Sequence, residues 1–380
     1  MLRAAAIFLL LIQVHVAQAA SDRPNIVLIF ADDLGFQGVS YNGSKYFETP
    51  NIDRLKTEGM VFNRAYAGGG NCQPSRACLM SGQYTPRHGV YAVGTTDRGP
   101  KDMMRMIPVP NKNYLEPSSF TVAEALKAGG YATGHFGKWH LDGKKRTGTS
   151  PQDQGFDVSV MGTQKKHAKD DPKGIFSTTE AACQFIKENH DRPFFAYVAH
   201  HAIHTPLQAR AESIEKFRAK RTSEELPAAL YAACTYDFDD GVGRLLKFLA
   251  DSGLEKNTLV VFTSDNGATP ESSQEPLRGN KGCYYEGGIR EPFLVRWPGV
   301  VAPGSSCNVP IINQDLYPTF LAAAHVERPS DKILDGEDLR PLLSGDGKLQ
   351  RQSIYWHFPG YLDDPVIRGR DPVFRTRPVS

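Results

Sequence analysis

Four short apolar runs organise the chain, each interrupted at its C-terminal end by charged or metal-capable side chains. They cover residues 25–30, 131–136, 194–198 and 258–263. Short β-rich runs of this kind, without a clean polar–apolar alternation, predict strands buried on both faces of a parallel sheet covered by helices. Helical patterns lie between them. Thr49 and Pro50 predict the N-cap and first position of a helix that ends at Gly59. Thr121 with Glu124 predicts a capping box for a helix running to Gly129 and Gly130, and Ser177 with Glu180 predicts a second one for a helix reaching about His190. A longer helix is expected from Pro227 to about Asp251. Strands alternating with helices of this length give an α/β doubly wound fold with a mostly parallel sheet and helices on both faces.

In such folds ligands gather at the carboxyl ends of the strands. Here the first run leads into Asp32 and Asp33, the second into Lys138 and His140, the third into His204, and the fourth into Asp265 and Asn266. One ending of this kind is ordinarily a turn or a helix cap; four in one chain mark a catalytic edge. His200 and His201, next to His204, are expected in structural or substrate-side roles. Asp237, Asp239 and Asp240 lie in a helical stretch and are expected to be solvated or capping.

Between the first two runs stands Cys72, preceded by three glycines at 68–70 and followed by Pro74 and Arg76. The glycines permit close backbone approach and positive φ, and Pro74 suits a first helical turn. Cys72 is thus expected at a helix N-terminus, where free N–H groups favour negative charge. Asp32, Asp33, Asp265 and Asn266 offer only oxygen ligands, which select Ca²⁺ or Mg²⁺ over zinc or copper. With Lys138, His140, His204 and Lys281 as cations or donors, the set suits transfer of a tetrahedral oxyanion group.

Composition narrows the alternatives. Net charge is +2, from 44 basic and 42 acidic residues, and no basic run is interleaved with aromatics, so nucleic acid is not an expected partner. The local cluster Lys144, Lys145 and Arg146 reads as a solvated loop. The six cysteines show no Cys-x-x-Cys spacing, which argues against a zinc site, and they are too few for a disulfide scaffold. Residues 1–20 combine a basic start, a short apolar stretch and an Ala-x-Ala site, the pattern of a signal peptide. No later stretch approaches about 18 uninterrupted apolar residues. The expectation is an exported protein, periplasmic or extracellular, without a stable membrane anchor.

The motifs resemble those of the type I sulfatases of the alkaline phosphatase superfamily. Cys72, Pro74, Ser75 and Arg76, with Ser81 and Gly82 behind them, are similar to that family's signature, although Ser81 replaces the more usual threonine. Asp32 with Asp33, Lys138 with His140, His204 with Pro206, Asp265 with Asn266, and Lys281 follow in the family's order. The resemblance implies an alkaline-phosphatase-like fold and hydrolysis of sulfate monoesters. It implies conversion of Cys72 to formylglycine by a maturation enzyme, with the hydrated aldehyde attacking sulfur. Asp32, Asp33, Asp265, Asn266 and residue 72 would hold Ca²⁺, with Mg²⁺ the second candidate. Lys138, His204 and Lys281 would bind sulfate oxygens, His140 would assist sulfate release, and Arg76 would order the site. The implied substrate is a sulfated small molecule or carbohydrate. Other readings are a phosphonate or phosphate ester hydrolase of the same superfamily and a catalytically silent calcium-binding homologue. The resemblance divides the chain into a leader (1–20), a catalytic domain (21–345) and the start of a C-terminal subdomain (346–380) whose antiparallel sheet is expected to be largely missing.

Overall fold

All seven residues of β1 (Asn25–Ala31) are buried, because helices cover the sheet on both sides. Ile26, Leu28 and Phe30 point to one layer and Val27, Ile29 and Ala31 to the other, the period-two alternation of a strand. This is a computed structural model, and it describes residues 23–143, 149–162, 169–220, 228–345 and 347–362. The expected leader, the cluster from Lys144 to Arg146, Pro227 and the stretch from 363 onward lie outside the described residues.

β1 joins β2 (Met60–Phe62), β4 (Ala132–Gly137), β5 (Val158–Met161), β6 (Phe194–Ala199), β7 (Thr258–Ser264), β9 (Leu294–Arg296) and β10 (Ser305–Cys307) in one sheet of order β10-β2-β9-β7-β1-β6-β4-β5. Every pairing in it is parallel except the two made by β9. A small second sheet holds β3 (Ala65–Tyr66), β8 (Arg290–Glu291) and β11 (Ile311–Ile312). The layer over Ile26, Leu28 and Phe30 contains α2 (Cys72–Ser81), α4 (Val122–Ala128), α9 (Leu316–Ala323) and α10 (Arg340–Leu343). The opposite layer contains α1 (Pro50–Glu58), α5 (Ile175–Glu188), α6 (Ala211–Lys220) and α7 (Ala229–Asp251). Two short helices, α3 (Thr85–His88) and α8 (Glu286–Ile289), sit within connections.

The four apolar runs are the four adjacent central strands, β7-β1-β6-β4. Their register makes them finish level: Ala31 pairs with Ser264, Phe30 with Ala199, and Gly137 with Ala199. The residues that follow each strand therefore emerge side by side. Gly137 is essential to this arrangement. Its φ is 106°, and a Cβ there would lie 2.0 Å from the carbonyl oxygen of Ala199, so only glycine lets β4 turn tightly over the end of β6.

Local caps match the sequence unevenly. The Thr121–Glu124 capping box forms: Thr121 Oγ1 accepts from Glu124 N at 3.2 Å, and Glu124 Oε2 accepts from Thr121 N at 2.7 Å. The box expected at Ser177 does not form. α5 starts earlier, at Ile175, and Asp171 Oδ1 accepts from Phe176 N at 2.7 Å in its place. Thr49 occupies the N-cap position of α1, but its hydroxyl bonds Asp53 and Ser40. The first N–H groups of α1, on Asn51 and Ile52, donate instead to Asp239 at 3.1 and 2.8 Å. Asp237 accepts from Arg210 N and Ser213 Oγ just before and within α6. Both aspartates are buried rather than solvated, each capping a helix other than its own.

Candidate active site

α2 begins at Cys72 because Asn71 is extended (φ −138°, ψ 160°) and its carbonyl accepts the first helical bond, from Ser75 N at 3.1 Å. Pro74 sits in the first turn, where a missing N–H removes no helical bond. Gly82, with φ 68°, ends the helix by donating to Cys78 O at 2.8 Å. All ten helix residues are buried. The preceding glycines serve close approach alone. A Cβ at Gly70 would meet Cys283 O at 2.8 Å and one at Gly68 would meet Cys78 Cβ at 2.5 Å, while none of the three adopts positive φ, contrary to that part of the expectation.

The structure brings every sequence-predicted site residue into one cluster. Ligand atoms of Asp32, Asp33 and Asp265 lie within 4.8 Å of one another, and those of Asp32, Cys72 and His204 form a second such group. Asp33 N donates to Asp265 Oδ1 at 3.0 Å, and Asn266 Nδ2 donates to Asp33 Oδ1 at 2.8 Å. Asp32 Oδ1 and Asn266 Oδ1 remain buried acceptors without a hydrogen-bond partner. Unpaired buried acceptors beside three crowded carboxylates are costly unless a cation takes their lone pairs. The donor set is all oxygen apart from Cys72 and His204, and so fits a hard divalent ion.

Cations surround the carboxylates. Arg76 Nε and Nη2 bond Asp265 Oδ2, while Nη1 donates to Lys138 O at 2.9 Å and Tyr197 OH at 3.2 Å. Lys138 Nζ lies 2.6 Å from Asp32, and Lys281 Nζ 2.7 Å from Asp33. His204 Nε2 is 3.8 Å from Asp33, and His140 Nδ1 is 3.4 Å from Cys72 Sγ. Arg76 and the three aspartates are fully enclosed, whereas the side chains of Lys281 (19% exposed) and His204 (25%) are partly open and mark the mouth.

The electrostatics divide the roles. Burial alone would raise Asp32, but Lys138, then Arg76, His204 and Lys281 outweigh it and hold the carboxyl well below its ordinary value. Burial and then the Asp32 charge push Asp265 upward despite Arg76. Burial works against Lys138 and Lys281 as well, yet Asp32 and Asp33 respectively keep both ammoniums charged. His140 is lowered to about 3, by burial first and then by Lys138, so its imidazole is neutral near pH 7. Burial also raises the Cys72 thiol, and the cations Lys138 and Lys281 do not reverse that.

Two site residues hold left-handed backbone that non-glycine residues seldom adopt: Asp33 (φ 65°) and His140 (φ 63°). Tyr231 OH donates to Asp33 O at 2.7 Å and helps pin the first. Tyr231, Tyr197, Gln73 and Asn313 escaped the sequence reading. Asn313 joins α2 to the glycine run, with Nδ2 on Ser75 Oγ at 2.8 Å and Oδ1 accepting from Gly68 N at 3.1 Å. The one sequence signal among them was Tyr197, a hydroxyl inside an otherwise apolar buried strand. His200 and His201 bond groups outside the cluster, Thr179 Oγ1 (3.1 Å) and Gly162 O (3.0 Å) respectively.

Comparison with known proteins places this geometry. The family model Sulfatase matches residues 24–326. A sulfatase of Formosa agariphila is 33% identical over 90% of this chain and 77% of its own length. Arylsulfatase A of Homo sapiens is 32% identical over 97% of this chain and 76% of its own. The crystal structure of Ps i-CgsB superposes with a TM-score of 0.73 at 32% identity, covering 86% of this chain and 77% of that one, and the same protein has been solved in complex with k-i-k-neocarrahexaose.

Proposed function

The chain belongs to the sulfatase family and hydrolyses sulfate esters, and we propose that it does so through residue 72, converted to formylglycine, beside a divalent cation. The observation that carries this reading is the convergence of Asp32, Cys72 and His204, whose ligand atoms lie within 4.8 Å of one another. Asp32, Asp33, Asp265 and Asn266 would hold the cation, Ca²⁺ rather than Mg²⁺, with residue 72 completing the set. When bound, the cation supplies charge that polarises an oxygen and lowers its pKa. Formylglycine supplies, in its hydrate, two hydroxyls where the cysteine has one thiol.

The protein groups set up the rest. The three aspartates are matched by the three cations Arg76, Lys138 and Lys281, so a doubly charged ion leaves the site positive and attractive to an anion. Lys281 and His204 at the mouth, with Lys138 behind, supply donors for sulfate oxygens. Asp265 lies on the metal side to accept a proton from the attacking hydroxyl. Neutral His140 faces residue 72 and can take the proton of the second hydroxyl. Arg76 fixes Asp265 and the backbone of Lys138 from below. An unmodified cysteine would offer no second hydroxyl for the His140 step.

The substrate is proposed to be a sulfated carbohydrate, a class to which the ligand of the similar Ps i-CgsB points. An exported enzyme, with residues 1–20 as leader, 21–345 as catalytic domain and 346–380 opening a C-terminal subdomain, fits that setting. Among the described residues no helix is long and apolar enough to cross a membrane. Peptide mass spectrometry across residues 71–76 of active enzyme tests the proposal: formylglycine is expected at 72, and an intact alkylatable thiol would refute it. Cys72→Ala is expected to lose turnover of sulfate monoesters while keeping Ca²⁺ binding by calorimetry. Phosphonate monoesters assayed alongside should be turned over more slowly than sulfates.

A further inference from the structure

Gln73 follows residue 72 at the start of α2 and is 3% exposed. Its side-chain Nε2 lies 2.7 Å from Asn113 O and 3.1 Å from His140 O. Both neighbours are carbonyls and only accept, so the amide nitrogen must face them, one proton for each. That orientation leaves Gln73 Oε1 buried without a hydrogen-bond partner, which costs stability. The two bonds tie three segments together: the start of α2, the loop through Asn113, and the turn after β4. Leu115 N on Leu141 O at 3.1 Å adds a backbone rung between the last two.

His140 is the residue in that turn with the unfavourable φ of 63°. Its carbonyl is gripped by Gln73 while its Nδ1 faces Cys72 Sγ at 3.4 Å, closing a ring through the 72–73 peptide. We infer that Gln73 is a positioning residue for the reaction: its amide holds His140 in the left-handed conformation that aims Nδ1 at residue 72. The inference rests on the assignment of residue 72 and His140 above. Gln73 touches no reacting atom; it acts through the imidazole.

A double-mutant cycle tests this, with turnover normalised to the formylglycine content of each variant by peptide mass spectrometry. Gln73→Met keeps the length of the side chain and removes both donors. It is expected to lower kcat by roughly ten- to a hundredfold with KM little changed, because the sulfate-binding groups are untouched. In a His140→Ala background the same substitution should cost less than about twofold, since a residue acting through the imidazole has nothing left to position. Gln73→Glu, which sets a carboxyl group against the same two carbonyls, should behave like Gln73→Met. Equal losses with and without His140 would overturn the inference while leaving the site assignment intact. Full turnover in His140→Ala would overturn both. If neither Gln73 variant yields soluble protein while His140→Ala does, Gln73 is a structural residue and the inference fails.

Discussion

Arg76 and Asp265 are joined by two hydrogen bonds that end on a single oxygen: Nε and Nη2 reach Asp265 Oδ2 at 3.1 and 2.8 Å. The other oxygen, Oδ1, is thereby left to accept from Asp33 N. One guanidinium thus orients the carboxylate that links the ends of β7 and β1, with its carbon 5.2 Å from the centre of the Phe30 ring. Arg76→Ala would leave Asp265 buried and unpaired and should cost about 3–5 kcal/mol of stability, measured by denaturant unfolding. Arg76→Lys should rescue part of the stability and little of the activity, because a single ammonium nitrogen cannot span the separate positions of Asp265, Lys138 O and Tyr197 that the guanidinium fork reaches. A fully active lysine variant would show that charge alone suffices.

Metal removal is the second test. A ligand that binds only the folded chain stabilises it by about 2.7 kcal/mol at a hundredfold excess over its Kd. Chelation should therefore lower the melting temperature and abolish turnover, and Ca²⁺ should restore both. Asp265→Asn should weaken that thermal response more than any substitution at His200, which lies outside the cluster. An unchanged melting temperature on chelation and calcium addition would contradict the metal centre.

Acid sensitivity follows from buried histidines that are not among the proposed site residues. Burial lowers His88 and His135 to about 3 and His200 to about 4. The folded chain holds these rings neutral, whereas the unfolded chain protonates them near 6.5. Their contribution is fully present above pH 6.5 and is lost as pH falls from there toward 3–4. Between pH 7 and 5.5 each should cost about 1 kcal/mol. The difference in denaturation midpoint between the parent and His88→Gln checks the sign, because buried carboxyls such as Asp265 and Asp239, which burial raises, act the other way on acidification. The parent should lose stability relative to the variant as pH falls, and a relative gain would contradict the histidine assignment.

Asp239 offers a stability test outside the site. Its carboxylate accepts from Asn51 N, Asn51 Nδ2 and Ile52 N at the start of α1. Asp239→Ala should destabilise the fold by about 1–2 kcal/mol with kcat unchanged. A loss of turnover at full folding would show that this cap communicates with the site.

The site was legible in the sequence because its residues stand directly after buried strands, where a run of apolar positions ends in a charged pair. β1, β4, β6 and β7 could each be read that way, and the level register of their ends did the rest. What escaped were side chains whose partners are distant. Nothing near Pro50 reveals that α1 is capped by Asp239 from α7. Gln73 lies within the Cys72–Arg76 motif, but its two acceptors lie 40 and 67 residues away. Local caps are written in neighbouring residues; caps supplied across the fold are not.

The pairing of β1 with β7 sets a timetable for biosynthesis. β1 is among the first structured segments to leave the ribosome, yet Ala31 finds its partner only when Ser264 has been made. At about 5–20 residues per second, roughly ten to forty seconds separate the appearance of Cys72 from that of Ser264. Throughout that interval the central sheet is incomplete, so α2, which begins at Cys72, has no finished layer to bury it. Nascent chains arrested before Ser264 should be efficient substrates for a modifying enzyme, and the refolded full-length chain a poor one. The order of strands in the sheet thus acts as a clock, keeping the segment around Cys72 within reach until the cavity around it closes.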